Sequence, residues 1–221
     1  FMVDLPTILP KNFDPKSKVW VYQANRTFTM GEIFELEPLL EDFVANWKSH
    51  GAKVKGYATV LYGQFIIIMA DETATTVGGC STDSSVHAIK AIEQMTGVQM
   101  FNRTLLAFFI KDKVQTVPQA QLNYAIENGL LSMDTLYFNN LVNTKASLET
   151  AWLQPIANSW LAKTITVNLQ SALFLIQACY EHLKKSKGAV LNIGSINAYS
   201  GESSLLAYSI GKAGLQTMTR N

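Results

Sequence analysis

Tyr208 and Lys212 lie four residues apart near the end of a 221-residue chain. On a helix that spacing sets both side chains on one face, about a turn from each other. A tyrosine with a pKa near ~10 is a poor base at neutral pH. A neighbouring ammonium favours the phenolate, and a phenol so placed can exchange a proton with an alcohol or a carbonyl. Upstream, Ser195 follows the apolar run 190–193, which reads as a strand. Ligands of open α/β sheets bind at the carboxyl ends of parallel strands, so the Ser195 hydroxyl is placed to hold a substrate oxygen.

Those residues need a particular order of elements to position them. An apolar stretch from Thr164 through His182 reads as a long helix, followed by Gly188, a strand over 189–193, a loop of small residues and a helix from about Leu205. Helix, strand, loop and helix in that order form the repeating unit of a parallel sheet.

The stretch Val190-Leu-Asn-Ile-Gly-Ser195, then Tyr208-Ser-Ile-Gly-Lys212 thirteen residues after Ser195, with Val167-Asn168-Leu169 upstream, resembles the catalytic segment of the short-chain dehydrogenase/reductase (SDR) family. The resemblance implies a partial Rossmann-like α/β segment over 164–221. It also implies an oxidoreductase that uses NAD or NADP on a small-molecule alcohol or ketone. In that reading Tyr208 is the general acid/base, and Lys212 lowers its pKa and binds the nicotinamide ribose. Ser195 orients the carbonyl, Asn168 supports a water in the proton relay, and Ile193 and Gly194 join Tyr208 and Lys212 in bordering the cofactor.

That family's fold opens with a strand followed by Thr-Gly-x-x-x-Gly-x-Gly, whose glycines let the backbone approach a pyrophosphate at a helix N-terminus. No such run occurs in this sequence. The nearest stretch, Thr76-Val-Gly78-Gly79-Cys80-Ser81, follows a strand-like run and precedes a helix, but its glycines are adjacent and no third follows. The sequence ends at Asn221, within the helix that bears Tyr208, so the segment is expected to be a fragment truncated at both ends.

The first part of the chain has another texture. Residues 19–22 read as a strand, and Thr29 with Glu32 three residues on forms a capping-box pattern that opens a helical stretch towards His50 and Gly51. Pro38 is expected to break that stretch or to begin a second helix. Runs 54–61 and 64–70 flank Tyr62-Gly63, and runs 105–110 and 114–117 flank residues 111–113, which gives two hairpins and an antiparallel sheet. Helices are expected over 84–95, over 119–128 with Gly129 as the stop, and over 146–152. The predicted architecture is an α+β N-terminal domain with a mixed or antiparallel sheet, residues 1–163, followed by the partial Rossmann-like segment.

Residues 2–163 also resemble an uncharacterised bacterial family often labelled an ABC-transporter ATPase. The resemblance rests on Val19-Trp-Val-Tyr-Gln-Ala24, Gly79-Cys-Ser-Thr-Asp-Ser-Ser-Val-His-Ala-Ile-Lys90, Phe138-Asn-Asn-Leu-Val142, Thr144-Lys145 and Ser159-Trp160. The label fails chemically, because the phosphate-wrapping Gly-x-x-x-x-Gly-Lys-Ser/Thr run is missing. A single divergent dehydrogenase is the competing reading, since Phe138-Asn139-Asn140 is similar to the SDR family's Asn-Asn-Ala-Gly strand end. Leu141-Val142 stand in place of Ala-Gly, however, and two hairpins have no place in a parallel half-fold. The composite is favoured.

A second candidate site is Cys80 with Asp83 and His87, four residues apart on one helical face, where a thiol at a helix N-terminus can be activated. The plainer reading is favoured: Ser81 or Asp83 caps the helix, Cys80 packs and His87 is an ordinary histidine. Trp20, Trp47, Trp152 and Trp160 are expected to anchor the core.

With 48% apolar and 16% charged residues, the chain can bury a core as one large domain or two small ones. A formal charge of +1 gives no basic stripe for nucleic acid, and Lys184, Lys185 and Lys187 sit where a helix ends. Cys80 and Cys179 lack the spacing of a disulfide framework or a zinc site, so no metal is expected and a reduced, cytoplasmic setting is. Run 65–70 is too short to span a bilayer, and the first residues lack the pattern of a signal peptide. One strand between two apolar helices cannot cover its own edges, so exposed apolar surface and self-association through the helices of 166–220 are expected.

Overall fold

The computed structural model describes residues 3–73, 75–200 and 206–220 and divides the chain into two compact units. One comprises residues 1–117 and 136–154, the other residues 118–135 and 155–221. The first half of the chain runs α1 (Leu5–Ile8), β1 (Lys18–Gln23), α2 (Met30–Asn46), β2 (Lys48–Ser49), β3 (Ala52–Lys53), β4 (Lys55–Leu61), β5 (Phe65–Asp71), α3 (Gly79–Thr96), β6 (Leu105–Ile110) and β7 (Lys113–Pro118). After α4 (Leu122–Glu127), which belongs to the second unit, come β8 (Leu136–Phe138), α5 (Lys145–Ala151) and β9 (Leu153–Pro155).

In the first unit β5 pairs antiparallel with β4, from Leu61↔Phe65 to Lys55↔Asp71, and with β1, from Gln23↔Phe65 to Lys18↔Ala70. All seven of its residues are buried. Alternate side chains enter different clusters: Ile66, Ile68 and Ala70 pack with Leu36 and Leu40 of α2 and Ile89 and Ile92 of α3. Phe65, Ile67 and Met69 pack with Phe138, Leu148 and Trp152. A strand covered on both faces has no polar alternation, which is why this run reads as continuously apolar.

β2 pairs with β3, and the last four strands form a sheet in the order β7-β6-β8-β9. Lys111 and Asp112 turn the β6–β7 hairpin with φ of 50° and 60°, as a two-residue hairpin loop requires. Trp152 is fully buried, 5.1 Å by ring centroids from both Phe65 and Phe138. Its Nε1–H donates to Asn140 Oδ1 at 3.0 Å, and the Asn140 amide donates to Gln23 Oε1 at 2.7 Å. Trp47 is equally buried and lies 6.0 Å from Trp20.

Three local expectations are corrected here. α2 runs unbroken through Pro38. Phe34, whose carbonyl loses its helical partner there, and Pro38 both face solvent, where water can replace the bond. His50 and Gly51 are the tip of the small β2–β3 hairpin, with φ of 49° and 84°, and not a helix end. α3 begins at Gly79, with Gly78 as its N-cap, so positions 81 and 83 stand inside the helix and not at its cap. The capping box at α2 does form: Glu32 N–H donates to Thr29 Oγ1 at 3.2 Å, and Thr29 N–H donates to Glu32 Oε2 at 2.7 Å.

The second unit opens with a 3₁₀ turn, Gln119–Gln121, that leads into α4. It continues with a 3₁₀ turn, Ile156–Asn158, then α6 (Trp160–Ile165), a π-helical turn Thr166–Gln170, α7 (Ser171–Ser186), α8 (Asn197–Ser200) and α9 (Leu206–Arg220). The expected start of the last helix, Leu205, lies outside the described residues. Residues 189–193 do not form the expected strand. A strand exists only with a neighbour to share its hydrogen bonds, and among the described residues of 156–221 there is none. Apolar side chains of this unit accordingly face solvent, among them Val167, Phe174, Leu175, Leu191, Ile193 and Ile196. No described helix is long and apolar enough to cross a membrane.

A Cβ placed on Gly56 of β4 would stand 2.8 Å from Trp47 Cε3, whereas one on Gly31 of α2 would meet nothing within 4 Å. Gly56→Ala is therefore expected to cost about 1–3 kcal/mol by overpacking. Gly31→Ala is expected to leave stability unchanged or raise it by up to about 1 kcal/mol through helix propensity. Urea titrations of the two variants check this.

Burial alone would raise the Asp71 carboxyl, but the Lys55 ammonium at 2.6 Å and N–H groups of Thr73 and Asp14 hold it well below the usual range. The Arg26 guanidinium and the Thr29 N–H lower Glu32 to about 2. Carboxyls depressed in the folded chain stabilise it above their unfolded pKa of about 4, and that contribution is lost as pH falls through the folded values. The urea midpoint should drop between about pH 4 and 2, and Asp71→Asn should flatten part of that slope.

Candidate functional site

Tyr208 and Lys212 sit one turn apart on α9, both half-buried and reachable from solvent. Lys212 Nζ lies 5.6 Å from the centre of the Tyr208 ring and donates to the Ile193 carbonyl at 2.8 Å. The ammonium thus ties the helix to the end of the apolar run 189–193. An ammonium carries three N–H donors, so the carbonyl leaves capacity for a ligand.

Ser195 is fixed by its own loop. Its Oγ accepts the Asn197 N–H at 3.2 Å and its carbonyl accepts the Ala198 N–H at 3.1 Å, at the start of α8. The hydroxyl proton stays free to donate outward. Gly194 borders a shallow cavity of about 230 Å³ with Asn192, Leu215, Gln216, Thr219 and Arg220. That is below the range of about 300–1,000 Å³ typical of small-molecule sites, and too small for a dinucleotide.

Asn168 occupies the middle of the π-helical turn, a one-turn irregularity that recurs at functional sites. It packs directly on α9. A Cβ on Gly211 would stand 2.8 Å from the Asn168 Cβ, and one on Gly214 would stand 2.7 Å from Leu169 Cδ2. The bare backbone at residue 211 is what lets Asn168 lie against the turn that carries Lys212. The sequence signal for this contact is a pair of glycines three apart inside a helix, where each costs about 1 kcal/mol relative to alanine and so points to packing. The structure therefore joins Tyr208, Lys212 and Ile193, and separately Asn168 with Gly211, while the described partner of the Ser195 hydroxyl is Asn197.

The phenol of Tyr208 and the ammonium of Lys212 have the donors to hold the hydroxyls of a ribose. The pyrophosphate end is different. Gly78 leads α3 without a side-chain cap, but a Cβ there would meet His50 Nε2 at 3.0 Å, so this glycine makes room for an imidazole. Among the described residues no cradle for a pyrophosphate is assembled, and the fit to a dinucleotide is confined to its ribose.

His87 Nδ1 lies 2.7 Å from the Asp83 backbone carbonyl, both residues are exposed, and the Cys80 side chain lies outside the described residues. Among the described residues no group of His, Cys, Asp and Glu is arranged to hold a metal ion. Asn139 and Asn140, at the end of β8, serve the core: the Asn139 N–H donates to the Trp152 carbonyl at 2.6 Å, and Asn140 bridges Gln23 and Trp152.

The family model for the short chain dehydrogenase matches residues 84–221, more than half of the chain and well upstream of the motifs that begin at Asn168. D-xylose 1-dehydrogenase of Caulobacter vibrioides is 37% identical over 81 residues, 36% of this chain and 33% of that protein. An uncharacterized oxidoreductase, YhxC, of Bacillus subtilis is 35% identical over 69 residues, 31% of this chain and 24% of that protein. Glucose and ribitol dehydrogenase homolog 2 of Arabidopsis thaliana is 31% identical over 80 residues, 36% of this chain and 27% of that protein. The chain thus matches a third or less of the length of these relatives. No solved structure matches it. On the family match over residues 84–221, the chain belongs to the short chain dehydrogenase family.

Proposed function

We propose that residues 164–221 carry the proton-transfer half of an NAD(P)-dependent oxidoreductase that interconverts a small alcohol and its carbonyl compound. The observation that carries this reading is the position of Lys212 Nζ, 5.6 Å from the Tyr208 ring and anchored on the Ile193 carbonyl. In the reducing direction the Tyr208 phenol donates its proton to the carbonyl oxygen, and in the oxidising direction the phenolate takes it back. The Ser195 hydroxyl donates a hydrogen bond to the same oxygen, and the Asn168 amide holds a water that returns the proton to solvent. A bound nicotinamide supplies or takes up the hydride. Two relatives are named for sugars or a sugar alcohol, which makes polyhydroxylated alcohols the first class to assay.

Quenching of tryptophan fluorescence by NADH or NADPH tests the cofactor, and turnover on sugar alcohols tests the chemistry. Tyr208→Phe should retain quenching, weakened by the loss of one hydroxyl contact, and lower turnover by about 10²–10⁴-fold, the usual worth of a general acid/base. Neither quenching nor turnover at millimolar cofactor would sink the proposal. The Asn168 position is tested by a double-mutant cycle of Asn168→Gly and Gly211→Ala in urea. Direct contact predicts a coupling of at least about 0.5 kcal/mol, and additive effects would place the two residues apart.

A composite chain, with residues 1–163 as an α+β domain independent of the dehydrogenase segment, is the second reading. It is favoured by the completeness of the first unit's core, since both of its clusters draw only on residues 1–117 and 136–154. Expressed alone, residues 1–163 should unfold in one cooperative urea transition. A truncated chain that is unfolded, beside a folded full chain, contradicts the composite.

A further inference from the structure

We infer that the solvent face of α2 docks a basic segment of another protein, with an arginine side chain set between the Phe34 ring and the carboxylates of Glu37 and Glu41. The inference is independent of the proposed activity and rests on the first unit alone. α2 turns one face to the core, where Leu36 and Leu40 are buried and Ile33 and Phe43 pack against the same cluster. At about 100° per residue the opposite face carries Met30, Phe34 and Pro38 in one stripe. Met30 is 65% exposed and Phe34 67%. Glu37 and Glu41 follow Phe34 by one and two turns along that stripe and are exposed as well.

Charge selects the occupant. The chain as a whole carries a formal charge of +1, yet residues 30–47 hold five carboxylates and no Lys or Arg. Glu32 is bound by Arg26, but no cation among the described residues is paired with Glu35, Glu37, Glu41 or Asp42. Glu37 and Glu41 are also one turn from each other, where like charges oppose the helix. A second α2, a nucleic acid or an anionic lipid surface would add negative charge to this field, whereas a basic segment neutralises it. The apolar stripe gives such a segment a surface that a small hydrated cation could not use.

The backbone favours arginine over lysine. Pro38 has no N–H, so the Phe34 carbonyl on this face lacks its helical donor. A guanidinium is planar, carries five donors, stacks on an aromatic ring and can reach a carbonyl and a carboxylate together, while an ammonium acts as a point charge. α2 already holds one guanidinium in this manner. Arg26 donates to the two Glu32 carboxylate oxygens at 2.9 and 2.8 Å and to the carbonyl of Thr96, the last residue of α3, at 2.8 Å.

The test uses the full chain and three synthetic helical peptides that share a leucine stripe and differ only in their charged residue, which is arginine, lysine or glutamate. Fluorescence anisotropy of the labelled arginine peptide should report micromolar binding that weakens with salt, as expected of a small charged contact. The lysine peptide should bind several-fold more weakly and the glutamate peptide not at all. Phe34 is largely exposed, so Phe34→Ala should keep the urea midpoint of the parent chain while weakening the arginine peptide at least about tenfold. The double variant Glu37→Lys/Glu41→Lys should invert the preference, taking the glutamate peptide and releasing the arginine one. Pro38→Ala, which gives the Phe34 carbonyl back its helical donor, should raise the urea midpoint and weaken the arginine peptide several-fold. An arginine peptide that stays unbound at millimolar concentration overturns the inference. Binding indifferent to Phe34→Ala and to the charge reversal would place the contact elsewhere on the chain and equally overturns it. So would sedimentation in which the parent chain associates with itself and Phe34→Ala abolishes that association, because the occupant would then be a second copy.

Discussion

A strand must share its backbone hydrogen bonds with neighbours and cover its apolar side chains, and the chain meets that constraint fully in one place and not in another. β5 is paired along both edges and covered on both faces, so all seven residues are buried. The remainder of the first unit follows from it. α2 and α3 supply one cover, while β8, α5 and Trp152 supply the other. Residues 189–193 have a comparable composition, yet no strand lies beside them among the described residues of their unit, and their side chains meet solvent. Similar local sequence takes different structures because pairing is not a local property.

The candidate site is built from contacts that need no sheet. Tyr208 and Lys212 meet because they are one helical turn apart, and Lys212 holds the apolar run by a single carbonyl. Asn168 reaches α9 because Gly211 has no side chain. Each of these depends on spacing within a helix or on one close approach between two helices. A dinucleotide cradle depends on a strand, a glycine turn and a helix N-terminus held in register, and at the nearest glycines His50 fills the space.

The same division decides what the sequence discloses. The Tyr208–Lys212 pair, the β4–β5 and β6–β7 hairpins and the α2 capping box are all legible, because each is encoded within about a dozen residues. Pro38 misleads because the rule against helix-interior proline counts the lost hydrogen bond without asking whether water replaces it. The glycines at 78 and 79 suggest a later helix start, whereas the helix begins on them. Strand 189–193 is misread because a period of apolar residues reports what a segment can become, and its neighbours decide whether it does. The π-helical turn at Asn168 leaves no signal in a single sequence, and the glycines at 211 and 214 signal close packing without naming its partner, because Asn168 lies more than thirty residues away.

This separation also accounts for how a chain can belong to the short chain dehydrogenase family over residues 84–221 while the described residues assemble only part of the proposed site. Family likeness is carried by residues that keep their spacing along the chain, and the group proposed for proton transfer is of that kind: a serine after an apolar run and a Tyr-x-x-x-Lys turn. The matched span also takes in α3 and the β6–β7 hairpin of the first unit, where Asn139 and Asn140 are bound to Trp152 and Gln23 and hold a core together. Asparagines at the end of a strand can serve a core or a cofactor with the same two donors and acceptor, and which they serve is set by what is packed beside them. In this chain an indole and a buried amide occupy that place, so the proposed chemistry draws on α9 and the π-helical turn instead.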